Sequence, residues 1–451
     1  MMRTLTIATL LWAMTFQALA TSVYYINRTS EAIRVNFVVD TTEPVENGYQ
    51  YRAPSEQVII LPYERVKVAD FNRYYGIVNG ATYDYYMHVD RQNGQDGGWV
   101  EERETPIAQL RLVGHGAGTT LSYGYKRLVL KGDYDPYVTA VNRGDGRHAE
   151  FGAKAVYTSG FDDVEFVIAE HDIADMEYRE HVLQVATYNL WMIPSVSSDI
   201  AARAAMMEHN LSGYDVLALQ EAFSSYREPM FDALSDEYPY RTDVVGGDSN
   251  AMYDGGVVTL SRYPILESDA LVFDHCSGTD CYADKGIVYT KIDKNGEIYH
   301  IFNTHLASFD TREAKRLRRL QLGLLRTFML TKQIPADEAV IYAGDFNIDK
   351  NSDFMEYLLM LATLEVDSPA YLGYTPATFE PKINAYASAN YSGGEKSEYL
   401  DYVLVSSEHR RAFENTNTVK LRQRVTEDTW GEWHLSDHFS VVGNFVFDER
   451  N

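Results

Sequence analysis

The chain has 451 residues and carries 65 Asp and Glu against 40 Lys and Arg, a formal net charge of −25. That length leaves room for two or three domains, and an apolar content of 45% supplies an ordinary globular core. So anionic a surface repels a polyanion, which argues against a dedicated nucleic-acid binder. It does not exclude an enzyme acting on phosphoesters, because bound divalent cations reverse the sign locally.

Residues 1–20, MMRTLTIATLLWAMTFQALA, read as a secretory signal peptide: Arg3 is the basic start, Leu5–Phe16 the apolar core and Ala18–Ala20 the small-residue cleavage site. The apolar span is too short for an anchor, and no later stretch is long enough to cross a bilayer. The expectation is an exported, extracellular protein with no transmembrane segment. Residues 21–169 are Tyr-rich and broken into short alternating stretches, among them Ile33–Asp40, Gln57–Val68, Thr120–Gly132 and Val164–Glu170. This predicts an N-terminal all-β sandwich-like domain. It shows no catalytic constellation, since His115, His148 and His171 are scattered, and its role is open. Tyr-rich segments such as Tyr83–Asp90 offer one alternative, contact with a sugar or lipid head group. The acidic residues 170–181 read as a linker to a second domain over 182–451.

From Leu183 strands alternate with helices. Leu183–Trp191 is a strand holding Asn189 near its end. Ser197–Asp215 contains a helix with an N-cap serine or aspartate and a stop at Gly213. Asp215–Phe223 is a strand with Glu221 near its end, and a helix follows around Ser225–Glu237. Gly255–Ile265 and Lys285–Asp293 read as paired strands. Between them lie the only cysteines, Cys276 and Cys281, which in an exported protein predict a local disulfide, with two free thiols as the alternative. Ile298–Ser308 is a strand delivering His305. Thr311–Ile334, the longest helix, holds seven Lys or Arg and one Glu and reads as a solvated basic face.

The apolar run Ala339–Ala343 feeds into Gly344, where the backbone can turn sharply. Asp345 and Asn347 follow, two apart, so on extended backbone both point to one side. An acid beside an amide suits a metal-bridged phosphate, although G-D-x-N alone also fits a plain Asp/Asn turn. A helix at Ser352–Thr363, a loop at Ala385–Lys396 and strands at Tyr399–Ser406 and His438–Phe447 complete the chain. Asp401 lies in the first of these strands, and Asp437 and His438 lead the second. The fold class is α/β, a two-layered α/β sandwich.

Asn189, Glu221, His305, Asp345, Asn347, Asp401, Asp437 and His438 each adjoin an apolar run, where an unpaired polar group is costly. Eight such residues near strand ends point to one shared cleft. Two histidines and several acids, with no Ser or Cys nucleophile, suit metal-assisted hydrolysis by water.

The ordered motifs YNLW, LALQEAF, DGGVVTLSRYPI, NTHLAS, AGDFNID, YLDYVLV and LSDHFSV, spread over Leu183–Phe447, resemble the endonuclease/exonuclease/phosphatase (DNase-I-like) superfamily. Within it, Tyr253–Glu267 and Asp280–Ile292 are similar to the secreted bacterial neutral sphingomyelinases, which release phosphocholine from sphingomyelin. The resemblance does not reach the β-rich N-terminal region. It implies that Glu221 is the principal ligand of Mg2+ (or Mn2+ or Co2+), with Asn189 beside it and Asp437 near the metal or its waters. It implies that His438 is the general base and Asp401 its orienting carboxylate, that His305 faces the phosphoryl group or leaving oxygen, and that Asp345 and Asn347 hold the phosphate or nucleophile. Asp254 and Lys285 match positions near the substrate. Family members touch membrane through aromatics on a hairpin before the last motif. Trp430 and Trp433 lie in that region, with packing over the cleft rim as the alternative. The resemblance thus implies a partner, membrane sphingomyelin, and no nucleic acid. Two competing expectations are a secreted nuclease of the same fold and a non-enzymatic adhesin or toxin that binds cells through its N-terminal sandwich.

Overall fold

In the C-terminal half the structure, a computed structural model, describes residues 182–447 except 248–250, 374, 382–383, 385, 388–395 and 423–433. Before residue 182 it describes the strands considered below with residues 32, 61 and 64. The signal peptide, most of the linker and the Trp430/Trp433 segment therefore lie outside the described residues. The chain divides into two compact units, one of Met1–Asn27, Glu31–Tyr137 and Phe151–Ile168, the other of Arg28–Ser30, Val138–Glu150 and Ala169–Asn451.

Every described element before residue 172 is a strand, in a five-stranded and a seven-stranded sheet. The alternating Ile33–Thr41 pairs antiparallel along its whole length with Thr82–Gln92. Asn27 is buried and donates from its amide to the carbonyls of Ile60 and Leu61.

From residue 182 on, the described residues of the second unit form twelve strands and four α-helices, numbered here from that point. They are β1 Val182–Asn189, α1 Ile200–Asn210, β2 Val216–Gln220, α2 Arg227–Leu234, β3 Tyr240–Arg241, β4 Val258–Ser261, β5 Ile265–Val272, β6 Gly286–Lys294 and β7 Glu297–His305. Then come α3 Arg312–Thr331, β8 Ala339–Asp345, α4 Phe354–Leu364, β9 Ala370–Gly373, β10 Asp401–Val405, β11 Ala412–Lys420 and β12 Ser440–Phe447. One sheet runs β3-β4-β2-β1-β12-β11-β9, the other β5-β6-β7-β8-β10. Their central strands face each other. The helices cover the outer faces. Met207 of α1 and Leu211 at its C-cap, and Met230, Phe231 and Leu234 from α2, pack on Ala186, Tyr188, Leu217, Leu219 and Val258 of the first sheet. On the second, Phe328 of α3 meets Phe302 edge-on, and Tyr357 of α4 stacks on Tyr402.

Strand alternation sends even residues of β1 outward under the helices and odd ones inward. The inward set is partly polar. Gln220 donates from Nε2 to Thr187 Oγ1 at 3.0 Å and, across the sandwich, to Asn303 Oδ1 at 2.8 Å. Asn417 of β11 likewise bonds both backbone groups of Val403 in β10. These pairs satisfy buried amides and fix one sheet against the other.

Several local expectations shift. Gly255–Ile265 is not one strand paired with Lys285–Asp293. β4 pairs with β2 in the first sheet, the chain leaves the ladder at Arg262–Pro264, and β5 is what pairs with β6 in the second. Pro264 lacks the N–H a central strand needs, so the run breaks there. At α1, Asp199 occupies the N-cap position at φ +52° but makes no capping bond, and its Oδ2 accepts from Tyr386 instead. Thr311 and Asp353 do cap α3 and α4, accepting from Ala314 N and Glu356 N. The basic helix is not solvated throughout: Arg318 is buried, paired with the equally buried Glu356 of α4. At Gly344, φ is +147° and a Cβ would lie 2.0 Å from Thr304 O, which explains the glycine.

Candidate active site

Topology gathers the polar residues at one end of the sandwich. β1 and β2 run parallel, as do β7 and β8, and their C-terminal ends carry Asn189, Glu221, His305 and Asp345. β10 and β12 run antiparallel to β8 and β1, so their starts lie at that same end, where Asp401 opens β10 and His438 precedes β12. Register places His305 beside Asp345, and Asp345 beside Asp401. Glu221 and Asn347 both hold left-handed backbone, at φ +54° and +53°; asparagine adopts it readily, whereas for a glutamate it is sparsely populated and such outliers concentrate at functional sites.

The side chains converge. Asn189 Nδ2 bridges Glu221 Oε1 at 3.1 Å and Asp345 Oδ2 at 3.0 Å. His305 Nε2 lies 3.5 Å from Asp345 Oδ2 and 3.9 Å from Glu221 Oε1. His438 Nδ1 meets Asp401 Oδ2 at 2.9 Å, leaving its Nε2 4.0 Å from Asp345 Oδ2. Asn347 N donates to Asp345 Oδ1 at 2.9 Å. Asp437 is buried next in sequence, its Oδ1 accepting from Ser436 Oγ. Glu221, Lys285, His305, Asp345, Asn347 and His438 line a single cavity of about 710 Å³.

Burial shapes the charges. It raises the Glu221 carboxyl and lifts Asp345 to about 6, where Asp401 adds to the effect. Burial, with Glu221 nearby, likewise pushes Asp437 up to about 6. Burial, together with the charges of Lys285 and His438, holds His305 well below the usual histidine range, so it is neutral. Burial also opposes the charged form of His438, but Asp401, Asp345 and Asp437 outweigh it and raise that imidazole well above its usual range.

The donor set fits a divalent metal. Glu221 Oε2 and Asp401 Oδ1 are buried and have no hydrogen-bond partner among the described residues. Asp345, Asp401 and His438 put donor atoms within 4.8 Å of one another. Buried carboxylate oxygens without donors call for a cation, and hard oxygen ligands suit Mg2+ or its like.

The remaining sequence candidates fall differently. Lys285 borders the cavity, but its Nζ is engaged by Leu306 O, Ser308 Oγ and Asp280 Oδ1, so it braces the loop after His305. Asp254 lies outside the lining of that cavity; it binds Arg227 at 2.6 Å and Gly256 N at 3.0 Å. Cys276 and Cys281 form a disulfide.

One residue escaped the sequence reading altogether. Arg203 is fully buried and donates to the carbonyls of Leu190, Trp191, Ser198 and Leu435. It thereby ties the loop after Asn189 to the loop before His438, and its guanidinium lies 5.0 Å from the Trp191 ring. An arginine flanked by Ala204 and Met207 on the apolar stripe of α1 was the available signal.

Residues 186–438, more than half the chain, match the sequence profile of the Endonuclease/Exonuclease/phosphatase family. This chain belongs to that family. Within the family its relatives include a Leptospira interrogans sphingomyelinase C 2, 34% identical over 293 residues, and a Listeria ivanovii sphingomyelinase C, 34% identical over 272. The matches cover 59% and 54% of this chain, 46% of the Leptospira protein and 78% of the Listeria protein. The chain thus spans about half the length of the Leptospira relative. A Staphylococcus aureus beta toxin structure, a double mutant with bound magnesium ions, superposes with a TM-score of 0.54 at 29% identity, covering 59% of this chain and 99% of that one. The family profile stops short of the β-rich N-terminal unit.

Proposed function

We propose that this chain is a secreted, Mg2+-dependent sphingomyelin phosphodiesterase that hydrolyses sphingomyelin to ceramide and phosphocholine. The observation that carries the reading is the orientation of His438. Asp401 fixes its Nδ1, and its Nε2 faces the Asp345 carboxylate inside the cavity that also holds Glu221 and His305. The names of the relatives supply the substrate, and the Cys276–Cys281 disulfide supports export to an oxidising compartment.

Once neutral, His438 takes a proton from the attacking water through Nε2, and the same carboxylates that favour its charged form, Asp401 first, steady the imidazolium that forms. Asp345 orients that water, itself held by Asn347 N and Asn189 Nδ2. Neutral His305 donates a hydrogen bond to a phosphoryl oxygen or to the departing ceramide oxygen, which takes its proton from solvent water. Glu221, with Asn189 and Asp437, would hold a divalent ion, which when bound would supply neutralisation of the phosphoryl charge.

The test is phosphocholine release from sphingomyelin, phosphatidylcholine and lysophosphatidylcholine, with DNA digested alongside. Sphingomyelin turnover should stop with chelator and return with Mg2+, and His438→Ala should abolish it. Cleavage of DNA without release of phosphocholine would overturn the assignment in favour of a nuclease.

A further inference from the structure

The cavity mouth carries four large apolar side chains that the chemistry does not use. Val196, Met252, Tyr282 and Phe309 border the cavity, yet each is between 51% and 68% exposed. They come from four separate segments, and those segments are laced together. Tyr253 Oη donates to Pro194 O, joining the Met252 segment to the turn that presents Val196. Tyr253 N donates to Tyr282 O at 2.9 Å. Tyr282 follows directly on the disulfide-closed turn, and Asp280 within that turn accepts from Ser308 N at 2.7 Å, next to Phe309. Phe309 stands at φ +73°, and its carbonyl accepts from the buried Arg318 at 2.6 Å. The result is a braced collar whose polar backbone is bonded inward and whose apolar side chains face water.

We propose that this collar seats on the surface of a zwitterionic bilayer, a membrane contact separate from the Trp430/Trp433 segment. The proposal rests on the phosphodiesterase reading above. The scissile phosphate of that substrate lies at the level of the lipid head groups, so the rim must approach the hydrocarbon edge for the ester to reach His438. Apolar side chains held out on ordered loops gain free energy by entering that interface and lose no loop entropy there. The charge of the chain selects the surface: at −25 it is repelled by anionic lipid and meets no such barrier at a phosphocholine surface.

The test is a full-length chain carrying Val196→Ser, Met252→Gln, Tyr282→Ser and Phe309→Ser together. It is compared with the parent for flotation on vesicles of phosphatidylcholine and sphingomyelin, and for turnover of a water-soluble nitrophenyl ester of phosphocholine. Vesicle binding and vesicle turnover should fall by about tenfold or more, with turnover of the soluble ester within about twofold. Adding phosphatidylserine to the vesicles should weaken binding of the parent. The single variant Phe309→Trp keeps the collar apolar; it should bind at least as well as the parent and show a blue-shifted emission on vesicles. Unchanged flotation of the fourfold variant, an equal loss on both substrates, or no emission shift for Phe309→Trp would each overturn the collar. Absence of phosphocholine release by the parent on any substrate would instead overturn the parent reading.

Discussion

At the scale of single residues, the acids of the cleft hold protons more tightly than free carboxyls do. Burial lifts Asp345 and Asp437 from 3.8 to about 6. A raised carboxyl disfavours the folded chain above its folded value and ceases to do so below its unfolded one. The metal-free protein therefore gains stability from these groups as pH falls from about 6 to about 4. A cation competes with the same protons, so Mg2+ affinity should drop as pH falls below about 6, and calorimetric titration at about pH 5 and about pH 7.5 measures this. Equal affinities at both would contradict a cation bound within reach of these acids. Arg203 makes a second case. Arg203→Met strands four carbonyls and should cost about 3 kcal/mol or more in urea unfolding, with kcat falling further than KM rises because Asn189 and His438 lose their common tie. Arg203→Lys should recover part of both. The acids and histidines were legible in the sequence because each interrupts an apolar run. Arg203 was not, because an arginine in a helix ordinarily points to water, and only the paired loops reveal its carbonyl partners.

At the scale of elements, α3 and α4 are joined by the buried Arg318–Glu356 pair, at 2.9 Å. Removing one partner leaves an uncompensated charge in the interior. Arg318→Met alone should destabilise by about 3 kcal/mol or more, while Arg318→Met with Glu356→Leu should recover most of that loss, as read by thermal unfolding. An additive pair of losses would show that the two residues do not act as a unit. Charge counting along the helix gave a solvated basic face; it could not single out the one arginine turned inward. The strands carried by apolar stretches, β1, β2, β7, β8 and β12, were readable from composition. β11, AFENTNTVK, was not, because its inward residue Asn417 is an amide whose partners are backbone groups of β10. The exchange of sheets at Pro264 also required knowing which neighbour each short run would find.

At the scale of the whole molecule, the S. aureus structure is matched over 99% of its length by 59% of this chain. A catalytic unit of this family therefore stands without a partner like the β-rich N-terminal one. Deleting residues 22–169 should leave turnover of a soluble phosphocholine ester within about twofold and the thermal transition of the remaining unit intact. Loss of both would mean that residues 170–451 need the removed segments, among them 28–30 and 138–150 of the second unit, in order to fold. The β character of residues 21–169 was legible from their alternation, but their purpose was not, since they bring no chemistry-bearing residues together in the sequence.

Glu221 and Asn347 hold left-handed backbone, at φ +54° and +53°, which a glutamate disfavours and an asparagine tolerates. Glycine would occupy both with ease. Selection for heat resistance alone would thus drift toward glycine at these two places and yield sturdier proteins with no activity. On the proposed mechanism, an acid and an amide stay there for the work they perform, and sequences that have abandoned that work should betray it first at these two backbone corners.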